Sequence, residues 1–261
     1  MNPSALATHE QNLPPSQPSS EHSLPKVERG LTSYVFLAAI LGSGVLLNLY
    51  LNGSMSWWTY CVLSITPHWF FLVAAHDALH QSAHSNAKMN RVIGWLANGF
   101  FLLPYPLIRR AHLFHHAREG TEDDIEQFGH RPGFTLPIRL ILGMWCFYSF
   151  LPRCDRKIRA QAALMLFAAI AGLVYWPETF LWGWLIPMQI MSCLTAVFYI
   201  YLPHGPLADW IDCHAPVLTG YHEQHHVAPA YPSHQIGNRQ IRDAIRNAKR
   251  AIPRCVHKPA V

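Results

Sequence analysis

Seventeen histidines stand in a chain of 261 residues, and many of them fall into three clusters. The first holds His76, Asp77, His80 and His84, the second His112, His115 and His116, and the third His222, Glu223, His225 and His226. Residues three and four apart share a face of a helix. The spacing therefore predicts one stripe of His76, His80 and His84, a second of His112, His115 and His116, and a third stripe of the same kind. Neutral imidazole binds iron, zinc, copper and nickel, so the ligand type alone does not name the metal. The number of ligands says more. Eight or more converging histidines exceed one zinc site of about four ligands and imply two metals. A lone histidine at an interface is ordinarily a satisfied polar side chain, but three repeats of this spacing are not explained that way.

The elements that must position these side chains are apolar. Of the residues, 51% are apolar and 13% charged, where a soluble domain carries about 25% charged. That excludes a disordered protein and argues against an ordinary soluble globule. The stretch 31–51 is uncharged and would rise about 31 Å as a helix, enough to cross a bilayer. It is too long for the apolar region of a secretory signal, and no cleavage pattern follows it. Further apolar stretches are 57–75, 160–176 and 179–202, with weaker ones at 92–108 and 136–151. Pro104 and Pro106 interrupt the first weak stretch; Pro137 and Arg139 open the second.

Charge placement selects among these. If 31–51, 57–75, 160–176 and 179–202 span, all 20 Lys and Arg fall on one side, which the positive-inside rule makes cytoplasmic. The expectation is thus an all-α membrane protein with four transmembrane helices. The stretches 92–108 and 136–151 lie at the inner interface, and both termini and all three histidine clusters are cytoplasmic. Residues 1–30, with five prolines, are expected to be a disordered tail. Residues 31–238 form the membrane domain, and 239–261 a basic amphipathic segment suited to an anionic lipid surface. The net charge of +5 needs no nucleic acid. A histidine-rich metal transporter needs ionisable groups near the bilayer midplane; the four stretches offer His68 there and no Asp or Glu.

The clusters resemble the histidine boxes of the membrane fatty-acid-desaturase-like superfamily of non-haem di-iron enzymes. Within it, the wording looks most like that of the desaturase-like β-carotene hydroxylases. The resemblance rests on H-D-A-L-H-Q-S-A-H-S-N from His76, Asn90 with Gly94, and R-x-x-H-L-F-H-H from Arg109. It continues through Glu122-Asp123-Asp124, Y-L-P-H-G-P from Tyr201 and Y-H-E-Q-H-H-V-A-P-A-Y-P from Tyr221. It implies two iron ions held by His76, His80, His112, His115, His116, His222, His225 and His226, with His84 and His204 as further ligands. It also implies O2 as co-substrate and an apolar lipid or carotenoid entering from the bilayer. The reaction implied is ring hydroxylation of β-carotene; fatty-acyl desaturation is the alternative and carotenoid ketolation the third reading. Ligating imidazoles donate their other N–H to an acceptor, and Asp77, Asp123, Asp124 and Glu223 stand beside the boxes. Six cysteines form no C-x-x-C pair and no dinucleotide motif is present, so electrons are expected from a separate carrier such as ferredoxin.

Overall fold

In a computed structural model of the chain, the described residues are 27, 29–119, 121, 123–126, 133–204, 222–236, 238 and 241. The expected N-terminal tail and the basic C-terminal segment lie almost wholly outside them, as do the side chains of His204, His222 and Glu223. The described residues are helical, in the order α1 (Leu31–Leu51), α2 (Trp57–Leu79), α3 (Ala87–Phe100), α4 (Tyr105–Arg118) and α5 (Leu136–Leu142). A 3₁₀ segment, Gly143–Arg153, leads to α6 (Arg156–Tyr175). Then come α7 (Pro177–Tyr201), continued by Leu202–His204, and the short α8 (His222–Val227) and α9 (Ser233–Ile236).

Four of these helices, α1, α2, α6 and α7, are long and apolar enough to cross a membrane. They are the four stretches that charge placement selects. Their outward faces are apolar: Tyr34, Leu41 and Val45 on α1, and Leu164, Phe167 and Val174 on α6, are exposed. Contiguous apolar surface of this extent suits lipid rather than water. Asparagine and aspartate caps set the helix starts. Asn86 accepts from the Lys88 and Met89 amides at the head of α3, and Asp155 accepts from the Ile158 amide at the head of α6.

The stretch 92–108 does not run straight. It is broken between α3 and α4, whose axes differ by 94°. Leu102 sits at φ 59°, and its amide bonds to the Gly99 carbonyl while the Leu103 amide bonds to that of Asn98. That is a Schellman stop, and Pro104 then opens α4 where a missing N–H costs nothing. The turn thus redirects the chain so that α4 carries its histidines beneath the end of α2.

Helix α7 holds two π-helical turns, Leu181–Leu185 and Ala196–Tyr201. Each precedes a proline, Pro187 or Pro203, which cannot donate to the carbonyl four residues back. The Gly183 carbonyl released by Pro187 accepts the Tyr60 hydroxyl instead. Next to it, the Trp182 carbonyl accepts the Trp57 indole N–H at 3.1 Å. These bonds tie α7 to α2. At the other end Gly143, at φ 55°, lies against the Ser192 backbone, where a Cβ would overlap it. The Met144 amide donates to the Ser192 hydroxyl at 2.9 Å. The core between these helices is built from Phe71, Leu72, Phe101, Leu103, Leu107, Phe147, Met188 and Met191.

Candidate metal centre

The first cluster straddles the end of α2. The helix stops at Leu79, with His80 as its C-cap and Gln81 in the left-handed region at φ 57°. The Gln81 amide bonds to the Ala78 carbonyl and the Ser82 amide to that of Asp77, a second Schellman stop. Asn90 braces this turn: its amide donates to the Ala78 carbonyl at 2.9 Å, and its Oδ1 accepts the Ala83 amide at 3.1 Å. Tyr105 donates to the same Ala78 carbonyl at 3.0 Å. Gly94 leaves room for that ring; a Cβ there would stand 2.5 Å from the ring edge. The N-x₃-G pattern therefore holds α4 against the turn that carries His80.

One expected stripe does not form. Because α2 ends at Leu79, His84 does not continue the face of His76 and His80; its Nδ1 accepts the Asn86 amide at 2.8 Å. The stripe on α4 does form, with His112, His115 and His116 within Tyr105–Arg118. Helix α8 brings His225 and His226 to it.

The ring nitrogens of His76, His80, His112 and His225 lie within 4.8 Å of one another. The Nε2 atoms of His112 and His80 are 2.9 Å apart, and those of His225 and His80 are 3.0 Å apart. His116 Nε2 stands 3.1 Å from His112 Nε2 and its ring stacks on His226, centroids 4.2 Å apart. His115 Nε2 and His226 Nε2 face each other at 3.2 Å. The outer nitrogens meet carboxylates: His112 Nδ1 to Glu126 at 3.0 Å, His115 Nδ1 to Asp124 at 2.8 Å, and His226 Nδ1 to Glu119 at 2.9 Å.

This donor set fits metal. A carboxylate only accepts, so the Nδ1 facing it carries the hydrogen and Nε2 keeps its lone pair. His115 and His226 then point two lone pairs at each other, an arrangement that repels unless a cation, either a proton or a metal ion, lies between them. The electrostatics agree. Burial, then the neighbouring imidazoles, pushes His112, His80 and His116 below the usual histidine range. Burial pushes His115 down as well, but Glu126, Asp124 and Glu119 outweigh it and lift it to about 9. The carboxylates that would hold a proton there would equally hold a metal ion.

Sequence reasoning placed Asp124 beside its histidine but missed Glu126 and Glu119. Both belong to the acidic run that follows α4, and Glu126 is buried two residues beyond the pair singled out. Burial raises the Glu126 pKa, opposed by His115. Asp123 is exposed. Asp77 is fully buried, but its carboxylate does other duty than orienting a histidine. It accepts from the Thr32 hydroxyl at 2.7 Å and from the Ser233 amide and hydroxyl at 3.0 and 2.6 Å; His76 Nδ1 is 3.9 Å away. Asp77 thus latches α1 and α9 to α2. Thr32 and Ser233 stand 45 and 156 residues from it in sequence, too far for local spacing to reveal.

A cavity of about 70 Å³ opens beside these histidines. His76, His112 and Glu126 line it, together with Leu72, Ile108, Met144, Phe147 and Ile200. The site can therefore present a bound metal to an apolar molecule.

No protein-family model matches the chain, and no solved structure does. Curated relatives do, over part of their length. The chain is 34% identical over 83 residues to an omega-3 fatty acid desaturase of the chloroplast from Glycine max, covering 32% of this chain and 18% of that protein. It is 33% identical over 79 residues to the chloroplast sn-2 acyl-lipid omega-3 desaturase (ferredoxin) of Arabidopsis thaliana, covering 30% of this chain and 18% of the relative. It is 28% identical over 126 residues to the endoplasmic-reticulum acyl-lipid omega-3 desaturase (cytochrome b5) of Arabidopsis thaliana, covering 48% of this chain and 30% of the relative. The matched segment thus spans less than a fifth of the first two relatives, and the chain is distantly similar to the fatty-acid-desaturase-like superfamily.

Proposed function

We propose that the chain is a membrane-bound, O2-dependent oxidoreductase of the desaturase type, with two non-haem iron ions, acting on the acyl chain of a lipid. The observation that carries this reading is the inward convergence of histidine Nε2 atoms whose Nδ1 atoms are held by Glu126, Asp124 and Glu119. Similarity to acyl-lipid desaturases supports acyl chains over the carotenoid ring that the wording of the boxes suggested.

In this reading His76, His80, His112 and His225 hold one ion, and His115, His116 and His226 the other. His84, His204 and His222 are proposed as further ligands. The bound metal pair would supply activation of O2 for removal of hydrogen from C–H. The protein orients His112, His115 and His226 through Glu126, Asp124 and Glu119, lowers the proton affinity of His80, His112 and His116 by burial, and lines the cavity with Leu72, Ile108, Phe147 and Ile200. Electrons are proposed to come from ferredoxin or cytochrome b5, the donors that the relatives' names carry. The basic loops, the termini and the histidines are proposed to face the cytoplasm.

The test is metal analysis of the purified full chain together with lipid analysis of a host expressing it. Two iron per chain, and acyl chains with a new double bond that vanishes in His112→Ala, are expected. A metal-free protein, or unaltered lipids in cells holding the iron-loaded chain and its donor, would overturn the reading. Hydroxylated or oxo carotenoids in a carotene-producing host would restore the ring-oxidation alternatives.

A further inference from the structure

The cavity beside the histidines is apolar except at a few points, and several of the polar groups there are committed. Glu126 Oε1 is engaged by His112 Nδ1, the Ser233 hydroxyl donates to Asp77, and the Thr195 hydroxyl donates to the Met191 carbonyl at 2.8 Å. Asn98 differs. Its side chain is fully buried, it lines the cavity, and its Oδ1 has no hydrogen-bond partner among the described residues. The orientation of the amide is fixed from the other side. Its Nδ2 donates to the Gly94 carbonyl at 2.8 Å, and turning the amide over would set two oxygens against each other.

A buried amide oxygen without a donor costs free energy comparable to a lost hydrogen bond, and native interiors rarely leave one so. Asn98 stands in the wall of the cavity that His76 and His112 also line, so a molecule filling that space packs against these histidines and Asn98 together.

We propose that Asn98 Oδ1 is a recognition point for a hydroxyl group, and that the natural ligand of the cavity is an apolar lipid carrying a hydroxyl. A hydroxyl is the smallest group that donates one hydrogen bond, and it adds little bulk to a chain threaded between Leu72, Ile108, Phe147 and Ile200. Bonding at Asn98 would set which carbon of the chain lies against His76 and His112, because a chain pinned at one point can present only a short segment elsewhere. Asn98 is in this sense a specificity-determining residue for the site. The proposal rests on the lipid-oxidoreductase reading for the nature of the ligand, while the acceptor and the cavity stand without it.

The test uses small probes on the purified full chain, so that it reads binding and not turnover. Butan-1-ol, its isomer 1-methoxypropane and pentane are titrated by saturation-transfer NMR against the wild-type chain and Asn98→Leu in the same detergent. Partitioning into detergent then cancels in the comparison of the two proteins. One hydrogen bond to a buried acceptor predicts that the wild type binds butan-1-ol about tenfold more tightly than the ether, and that Asn98→Leu loses this preference. Equal affinities in the wild type, or a preference for the alcohol that survives in Asn98→Leu, would overturn the proposal. Should Asn98→Leu fail to fold, Asn98→Ala takes its place in the same comparison, and it too is expected to lose the preference. A preference for the alcohol that survives in Asn98→Ala would overturn the proposal. Metal content measured on the same sample keeps the two readings apart. An alcohol preference that the Asn98 variant loses, in a protein that binds no iron, leaves Asn98 standing and removes the proposed function; iron without the preference does the reverse.

Discussion

His115 Nδ1 lies 2.8 Å from Asp124 Oδ1, and both side chains are completely buried. The pair fixes the ring, places its hydrogen on Nδ1 and turns Nε2 toward His226. Replacing Asp124 by Asn keeps the shape and removes the charge. Loss of such a partner typically weakens metal binding about 10- to 100-fold. Asp124→Asn should therefore release its metal to a competing chelator at about that much lower concentration, measured on the detergent-purified chain. Unchanged retention would mean that the carboxylate does not tune the site.

Asp77 joins three parts of the chain, through Thr32 on α1 and Ser233 at the start of α9. Removing a buried carboxylate that accepts three hydrogen bonds should cost about 3 kcal/mol. Asp77→Ala should lower Tm and speed hydrogen exchange at 231–236, next to the helix that carries His225 and His226. Asp123→Ala, at an exposed position, is the control and should change neither.

Two left-handed residues predict opposite signs. Gln81 is exposed and Leu102 is buried, at φ 57° and 59°. Glycine relieves the left-handed penalty but adds freedom to the unfolded chain, so Gln81→Gly should stabilise by about 0.5–1 kcal/mol. Leu102→Gly removes a core side chain as well and should destabilise by about 2 kcal/mol or more. Thermal unfolding of both variants checks the sign.

Gly94 meets the Tyr105 ring, whose hydroxyl is anchored on the Ala78 carbonyl. Gly94→Ala forces a shift in α3 or in that ring. Overpacking of this kind costs about 1–3 kcal/mol. The damage should reach the metal, because Tyr105 and Asn90 together hold the turn bearing His80. A lower Tm with weaker iron retention is expected; a lower Tm with retention intact would confine the role of Gly94 to packing.

Much of the centre was legible in residue spacing. His112, His115 and His116 share a face because α4 runs unbroken through them, and a local period survives folding when the helix does. The stripe of His76, His80 and His84 failed for the converse reason: Gln81 takes a left-handed conformation that no periodicity reveals, and the helix stops. Among the acids, nearness in sequence named Asp124 together with the exposed Asp123 and overlooked Glu126. Which acid of a run turns inward depends on the path of the backbone after α4.

The sequence by itself determined the four apolar helices and the clusters of metal-binding side-chain types. These follow from composition, local hydrophobic length, charge placement and repeated histidine spacing, none of which needs knowledge of distant contacts. Only the tertiary structure decided how the histidines face one another, which carboxylates hold them, and that Asp77 serves as a latch. It also left Asn98 with a buried, unanswered oxygen beside them. Those facts depend on residues far apart in the chain meeting at hydrogen-bond distance, and a bond of about 3 Å is set by the packing of whole helices.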